Sequence, residues 1–251
     1  MSDLLPTLPE NWERALAVAA HPDDIEYGTA SAVARWTAQG KRITYLLASR
    51  GEAGIDGMHP DEAAPLREAE ERAGALEVGV DVVEFLDHRD GVIESGPALR
   101  RDIARAIRRH RPEVIFSGNF DDRMMSGMSN QADHRVVGLA TLDAARDAGN
   151  RWIFPELLDE GLEPWGGVRF VAYAGSQSPT HGIEVTGTPL ERGIKSLEAH
   201  AQYTSGLGAR GPEPGPFLTW AAQMGGKALG VEAAVLFDVY WIIPEGPRPW
   251  Q

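Results

Sequence analysis

The sequence contains no cysteine. That absence removes a disulfide framework, a thiol nucleophile, an iron–sulfur centre and a Cys-type structural zinc site together. Any metal bound here must be held by His, Asp and Glu. Basic residues are in deficit, with 24 Lys and Arg against 37 Asp and Glu and a formal net charge of −13. Such a surface repels phosphate backbones and anionic lipid, so neither nucleic acid nor membrane is expected as a partner. No apolar run approaches the roughly 20 residues that cross a bilayer. Met1 to Glu10 also lacks the basic start and apolar stretch of a signal peptide, which leaves a cytoplasmic location as the expectation. No Ser/Gly linker, composition break or internal repeat divides the 251 residues, and the chain is read as one domain over residues 1–251.

What is present alternates. Ala15 to Ala20, Arg42 to Ala48, Val80 to Leu86 and Glu113 to Ser117 read as strands. Thr29 to Gln39, Glu62 to Val78 and Pro97 to Arg109 read as the helices between them, the second with an apolar stripe of Leu66, Ala69, Ala73 and Leu76. Strands alternating with helices of this length predict parallel βαβ units in an α/β, Rossmann-like doubly wound sheet, mostly parallel, with helices on both faces. The second half predicts helices at His134 to Ala148, Pro189 to Tyr203 and Ala222 to Gly230. Strands are expected at Val168 to Ala174, Gly182 to Thr186 and Ala233 to Ile243, with Gly206 to Pro216 as a surface loop or lid and a Pro-rich tail.

The most informative string is Ala20-His21-Pro22-Asp23-Asp24-Ile25-Glu26, placed after the first strand and before the first helix. Ligands of open α/β sheets bind at that end of the strands. Pro22 favours a turn, so His21 and Asp24 can converge on one point while Asp23 is aimed elsewhere. Two metal ligands and one free carboxylate suit a hydrolytic zinc site with an open position and a nearby base. The same residues also suit a helix N-cap preceded by a strand-end histidine. A second cluster, Asn130-Gln131-Ala132-Asp133-His134, precedes the helix after the fourth strand. His134 is the natural third ligand and Asp133 a carboxylate beside a ligating imidazole, although Asn130 or Asp133 could equally cap the helix.

Together these strings resemble the PIG-L/LmbE family of zinc-dependent N-deacetylases. Ala20 to Gly28 matches the family pattern AHPDD-x-E-x-G at every fixed position. Gly51-Glu52-Ala53-Gly54 matches a Gly-Glu-x-Gly string, Arg67 with Glu70 (or Arg67-Glu68 with Glu71) an R-x-x-E helix, and Asp90-Gly91 the Asp-Gly after the third strand. Lys195 with Ala199-His200-Ala201-Gln202 is similar to a C-terminal Lys…Ala-His-x-x-Gln pattern, one residue short. The resemblance implies that His21, Asp24 and His134 bind Zn²⁺ and that Asp23 is the general base. It implies an N-acylated amino sugar or N-acetylglucosamine conjugate as the small-molecule substrate, and is compatible with a homo-oligomer.

One departure bears on chemistry. The family's second string is commonly His-Pro-Asp-His, its first His resembling an oxyanion stabiliser, whereas this chain reads Gln131-Ala132-Asp133-His134. The Gln131 amide can donate a hydrogen bond but has no titratable proton; His200 is the candidate to supply the missing imidazole. Glu52, Arg67 and Asp90 are candidate substrate contacts, with Arg67 alternatively a surface ion pair among glutamates. Met124, Met125 and Met128 are expected to shape a pocket wall, and the seven tryptophans, through Trp250, are too dispersed for a sugar-stacking platform. Three other readings are carried beside the deacetylase. One is a zinc amidase cleaving a larger amide, such as a thiol-sugar conjugate or an acylated secondary metabolite. Another is a metal-binding scaffold without catalysis. The third, a nucleotide-binding Rossmann module, fares badly because two carboxylates stand where a phosphate would sit.

Overall fold

A computed structural model of the chain describes residues 4–124, 127–208 and 212–244. Met125, Trp250, part of the expected 206–216 loop and the Pro-rich tail lie outside the described residues. In chain order, the elements begin with β1 (Arg14–Ala19), α1 (Asp24–Gly28), α2 (Ala30–Ala38), β2 (Arg42–Leu47), α3 (Pro60–Glu77) and β3 (Val82–Phe85). They continue with α4 (Pro97–His110), β4 (Val114–Gly118), α5 (Ala132–Asp147), α6 (Glu156–Asp159), β5 (Phe170–Ala174) and β6 (His181–Glu184). The chain then forms α7 (Thr188–Glu198), α8 (Ala201–Leu207), α9 (Pro214–Leu229) and β7 (Ala234–Trp241).

The strands form one seven-stranded sheet in the order β3-β2-β1-β4-β5-β7-β6. The first five pair in parallel, and β7 runs antiparallel between β5 and β6. The sheet is therefore the mostly parallel, doubly wound one that the βαβ alternation predicts. The chain winds from β1 outward to β3, then crosses back to place β4 on the other side of β1. That reversal opens a crevice at the carboxyl ends of β1 and β4, the usual ligand position in such sheets.

Strand alternation in β1 shows how both faces are covered. Ala15, Ala17 and Ala19 pack with Trp36, Phe116 and Phe237 on one side, and Leu16, Val18 and Ala20 with Ile103, Ile107 and Val137 on the other. The small alanines let Trp36 of α2 lie close to the sheet, stacked on Phe116 with ring centroids 4.4 Å apart.

The structure corrects three expectations. In α3 the predicted stripe faces outward: Leu66 is half-buried and Leu76 is exposed, while Ala63, Arg67, Glu71, Gly74 and Ala75 are buried. The helix turns a charged face inward because that face serves the site rather than the apolar core. The expected helix Pro189 to Tyr203 is two helices that break at Ala199 and His200. The Glu70 carboxylate accepts the Gln202 and Tyr203 amides at 2.6 and 3.3 Å, capping the second helix and fixing the break. Finally, α9 starts at Pro214 inside the segment read as a loop. Proline at the first turn of a helix loses no hydrogen bond, so the Pro-rich stretch opens the helix instead of preventing it.

Candidate active site

The chain leaves β1 through His21 and Pro22 and enters α1 at Asp24. Asp23 between them has φ 98°, in the left-handed region. A non-glycine residue there is strained, and the strain is what turns consecutive carboxylates apart. Asp24 folds back on the turn, its Oδ2 accepting the Ala20 and His21 amides at 3.1 and 2.9 Å. Its Oδ1 lies 3.0 Å from His134 Nε2, and its Oδ2 lies 3.5 Å from His21 Nδ1. One ligand atom from each of His21, Asp24 and His134 falls within 4.8 Å of the others.

The two imidazoles are held from behind. His21 Nε2 is 3.2 Å from Asp133 Oδ2 and 3.1 Å from Asp90 Oδ1. Asp133 is itself fixed by the Gly91 and Ile93 amides at 2.7 and 3.1 Å. His134 Nδ1 lies 3.0 Å from Asn130 Oδ1, so it carries the proton and leaves Nε2 as the acceptor facing Asp24. That Nε2 is buried and has no hydrogen-bond partner. A buried imidazole nitrogen 3.0 Å from a carboxylate oxygen fits a cation bound between them in place of a proton. The donor set of two nitrogens and one carboxylate suits zinc.

Electrostatics support the same assignment. For His21, burial alone would lower the pKa, but the Asp24 charge and bonds to Asp133 and Asp90 hold it well above the usual histidine range. Asp24 is likewise penalised by burial, yet the charges of His134 and His21 hold its carboxyl well below the ordinary value. Asp23 behaves oppositely. Burial pushes its carboxyl up to about 7, opposed by the Arg67 charge and aided by Asp24. A carboxyl poised near neutrality is suited to take a proton and return it.

The chain matches the family described as GlcNAc-PI de-N-acetylase, PIG-L, over residues 16–145. That span holds the strained turn, the His21, Asp24 and His134 cluster and Asp23. The chain belongs to the PIG-L family. Among curated PIG-L relatives, a diacetylchitobiose deacetylase from Thermococcus kodakarensis is 25% identical over 190 residues, covering 75% of this chain and 69% of the relative. A 1D-myo-inositol 2-acetamido-2-deoxy-alpha-D-glucopyranoside deacetylase from Acidothermus cellulolyticus is 26% identical over 266 residues, covering 88% and 87%. The solved structure of N,N'-diacetylchitobiose deacetylase from Pyrococcus horikoshii shares the fold, with TM-score 0.81 and 22% identity over 94% of this chain and 88% of that one.

Within this PIG-L site, the remaining expected residues fall in three groups. Arg67 is not a surface ion pair: it is 1% exposed, and its Nη2 donates to Asp23 Oδ1 at 3.1 Å and to the Pro22 carbonyl. Its guanidinium also lies over the Tyr203 ring, 3.5 Å from the centroid. The Gly-Glu-x-Gly string makes room for it. Gly51 has φ 66°, and a Cβ there would stand 3.0 Å from Arg67 Cζ. Glu52 and Asp90 act on the loops: Glu52 Oε1 accepts the Asp90 amide at 2.9 Å, and Asp90 Oδ2 accepts the Ala53 amide at 2.7 Å. With Arg67 on Asp23 and Asp90 on His21, these hydrogen bonds tie all three expected residues into the walls of the site.

Gln131 sits at the N-cap of α5, three residues before His134, and is exposed. His200 is the clear correction. Its side chain has 0% exposure and is enclosed near Glu26 and Glu71, so it cannot reach a substrate oxygen. Met124 and Met128 border a short turn, with the Met124 amide bonded to the Met128 carbonyl at 2.8 Å, and both side chains are exposed.

Sequence reasoning missed Asn130 as the partner of His134, and missed Glu26 and Glu71. Asn130 lies four residues before His134, and its polar amide at a helix start was read only as a cap. Glu71 stands one helical turn after Arg67 on the same face, a spacing that announces a shared environment.

Proposed function

We propose that the chain hydrolyses the amide bond of an N-acetylated amino sugar or its conjugate, releasing acetate. His21, Asp24 and His134 would hold the metal, read as Zn²⁺ from its nitrogen and oxygen donors. Bound there, such an ion supplies a Lewis acid that polarises a carbonyl and acidifies water. The protein's own groups do the rest. Asp23, ionised above about pH 7, takes a proton from the attacking water. The same carboxyl then returns it to the amine, which must leave protonated. Arg67 holds the carboxylate in place through that exchange, and the exposed Gln131 amide is the neutral donor available to the oxyanion. Asp24 and His134 have side-chain exposures of 18% and 16%, against 7% for Asp23. Substrate therefore approaches from the Asp24 and His134 side, with the base beneath it.

The observation that carries this reading is the separation of roles in one turn: Asp24 faces two imidazoles, and the adjacent Asp23 faces Arg67 with its carboxyl tuned near neutrality. The test is acetate release from a panel of N-acetylglucosamine conjugates, with and without a chelator. Chelator-sensitive acetate release, abolished by Asp23→Ala, is expected. Chelator-insensitive release, or the wild-type rate in Asp23→Ala, overturns the mechanism. A longer acid or a split conjugate as the product overturns the acetyl assignment.

A further inference from the structure

One cluster of ionisable side chains has no part in that chemistry. Glu26 of α1, Glu71 of α3 and His200 at the α7–α8 break each have 0% side-chain exposure. His200 Nε2 lies 3.8 Å from Glu26 Oε2 and 3.7 Å from Glu71 Oε2, too far for hydrogen bonds. Both ring nitrogens of His200, Glu26 Oε2 and Glu71 Oε1 are buried without any hydrogen-bond partner. Native interiors rarely leave one such atom unpaired. Here four belong to three side chains that meet in one enclosure.

We infer that Glu26, Glu71 and His200 form a second divalent-cation site, structural in kind and of the class that takes Zn²⁺. One donor atom from each residue lies within 4.8 Å of the others. Two donors about 2.1 Å from a tetrahedral ion stand about 3.4 Å apart, close to the spacing between His200 and the glutamates and wider than a hydrogen bond. Two carboxylates and a neutral imidazole also balance a divalent charge. The imidazole is in its ligand form: burial and the Arg67 charge lower its pKa to about 3.

The enclosure is built for the ring. A Cβ at Gly74 would stand 3.2 Å from His200 Nε2 and 2.8 Å from the Ser196 carbonyl, so a glycine in mid-helix admits the imidazole. Ser196 Oγ lies 2.7 Å from the Gly74 carbonyl and 3.1 Å from Glu26 Oε1, which holds that carboxylate within the enclosure. A closed site of this kind cannot bind substrate; it joins elements. An ion there ties α1, α3 and the α7–α8 break together. It also fixes the strained turn, because Glu71 Oε2 accepts the Asp23 amide at 3.1 Å.

This inference stands apart from the reaction and is tested without an activity assay. Tag-free wild-type protein from zinc-replete medium is analysed for metal, and its crystals are measured at the zinc absorption edge. Two equivalents per chain are expected, with a second anomalous peak between Glu26, Glu71 and His200. His134→Gln and His200→Gln are each expected to retain one equivalent. A single peak at His21, Asp24 and His134 overturns the inference, as does a second peak anywhere else. The wild-type diffraction decides even if His200→Gln does not fold.

Discussion

The guanidinium of Arg67 donates to the carboxylate of Asp23 at 3.1 Å, with both side chains shielded from solvent. Since Asp23 must be ionised to act as a base, the rate should be low at acid pH and rise through about pH 7. Arg67 opposes the upward push of burial, so Arg67→Met should move the rising limb of kcat/KM to higher pH, by roughly one to three units. Arg67→Lys keeps the charge and should move it less. A limb that stays in place in Arg67→Met would show that the guanidinium does not tune the base.

Asp23→Asn keeps the shape and hydrogen-bonding reach of the side chain but cannot accept a proton. The expected loss in kcat is about 10²–10⁴-fold, with metal content unchanged because His21, Asp24 and His134 are intact. Parallel rate and metal measurements check this, and loss of the metal would show that Asp23 is a ligand.

Asp133→Ala removes one of two carboxylates behind His21 and strands the Gly91 and Ile93 amides. Zinc affinity should fall about 10–100-fold, as for other partners of ligating histidines. Competition with a chromogenic chelator measures it. Affinity in wild type should also rise with pH, because His21 and His134 both hold their protons above the usual histidine pKa and must release them to bind metal.

Gln131→His places an imidazole at the exposed N-cap of α5, three residues before His134. Activity is expected to remain within about tenfold, one step of about 1.4 kcal/mol in the barrier. Steady-state kinetics on the best substrate would decide, and a loss of several hundredfold would assign Gln131 a specific role.

Gly74→Ala improves intrinsic helix propensity yet drives a methyl group towards the Ser196 backbone carbonyl. Overpacking should win, lowering stability by about 1–3 kcal/mol. Thermal unfolding should show a lower Tm, and a raised Tm would mean that α7 can move aside.

The parts of the site that were legible in sequence are local. His21, Asp23 and Asp24 lie in one turn marked by Pro22, and Asp133 with His134 repeats the acidic–imidazole pairing before a second helix. The parallel half of the sheet was equally legible, because each βαβ unit carries its own pattern. Arg67 was singled out but its burial against Asp23 was not legible, since charged neighbours at 68, 70 and 71 make α3 look solvated. The pairing of Glu71 with His200 was hidden for the same reason. It exists only after α3 packs against the α7–α8 break, which no local pattern announces. At Pro214 the rule itself misled: a Gly/Pro-rich stretch can open a helix as readily as it makes a loop.

The positive φ of Asp23 has an evolutionary corollary. Holding a carboxylate-bearing residue in that conformation costs about 1–3 kcal/mol, and glycine would adopt it freely. Asp23→Gly is thus the substitution that the local backbone favours and that the chemistry forbids. The backbone gain is not free, because the same change would leave the buried Arg67 guanidinium without its carboxylate. One residue thus holds two opposed demands, a strained backbone and a buried ion pair that needs its side chain.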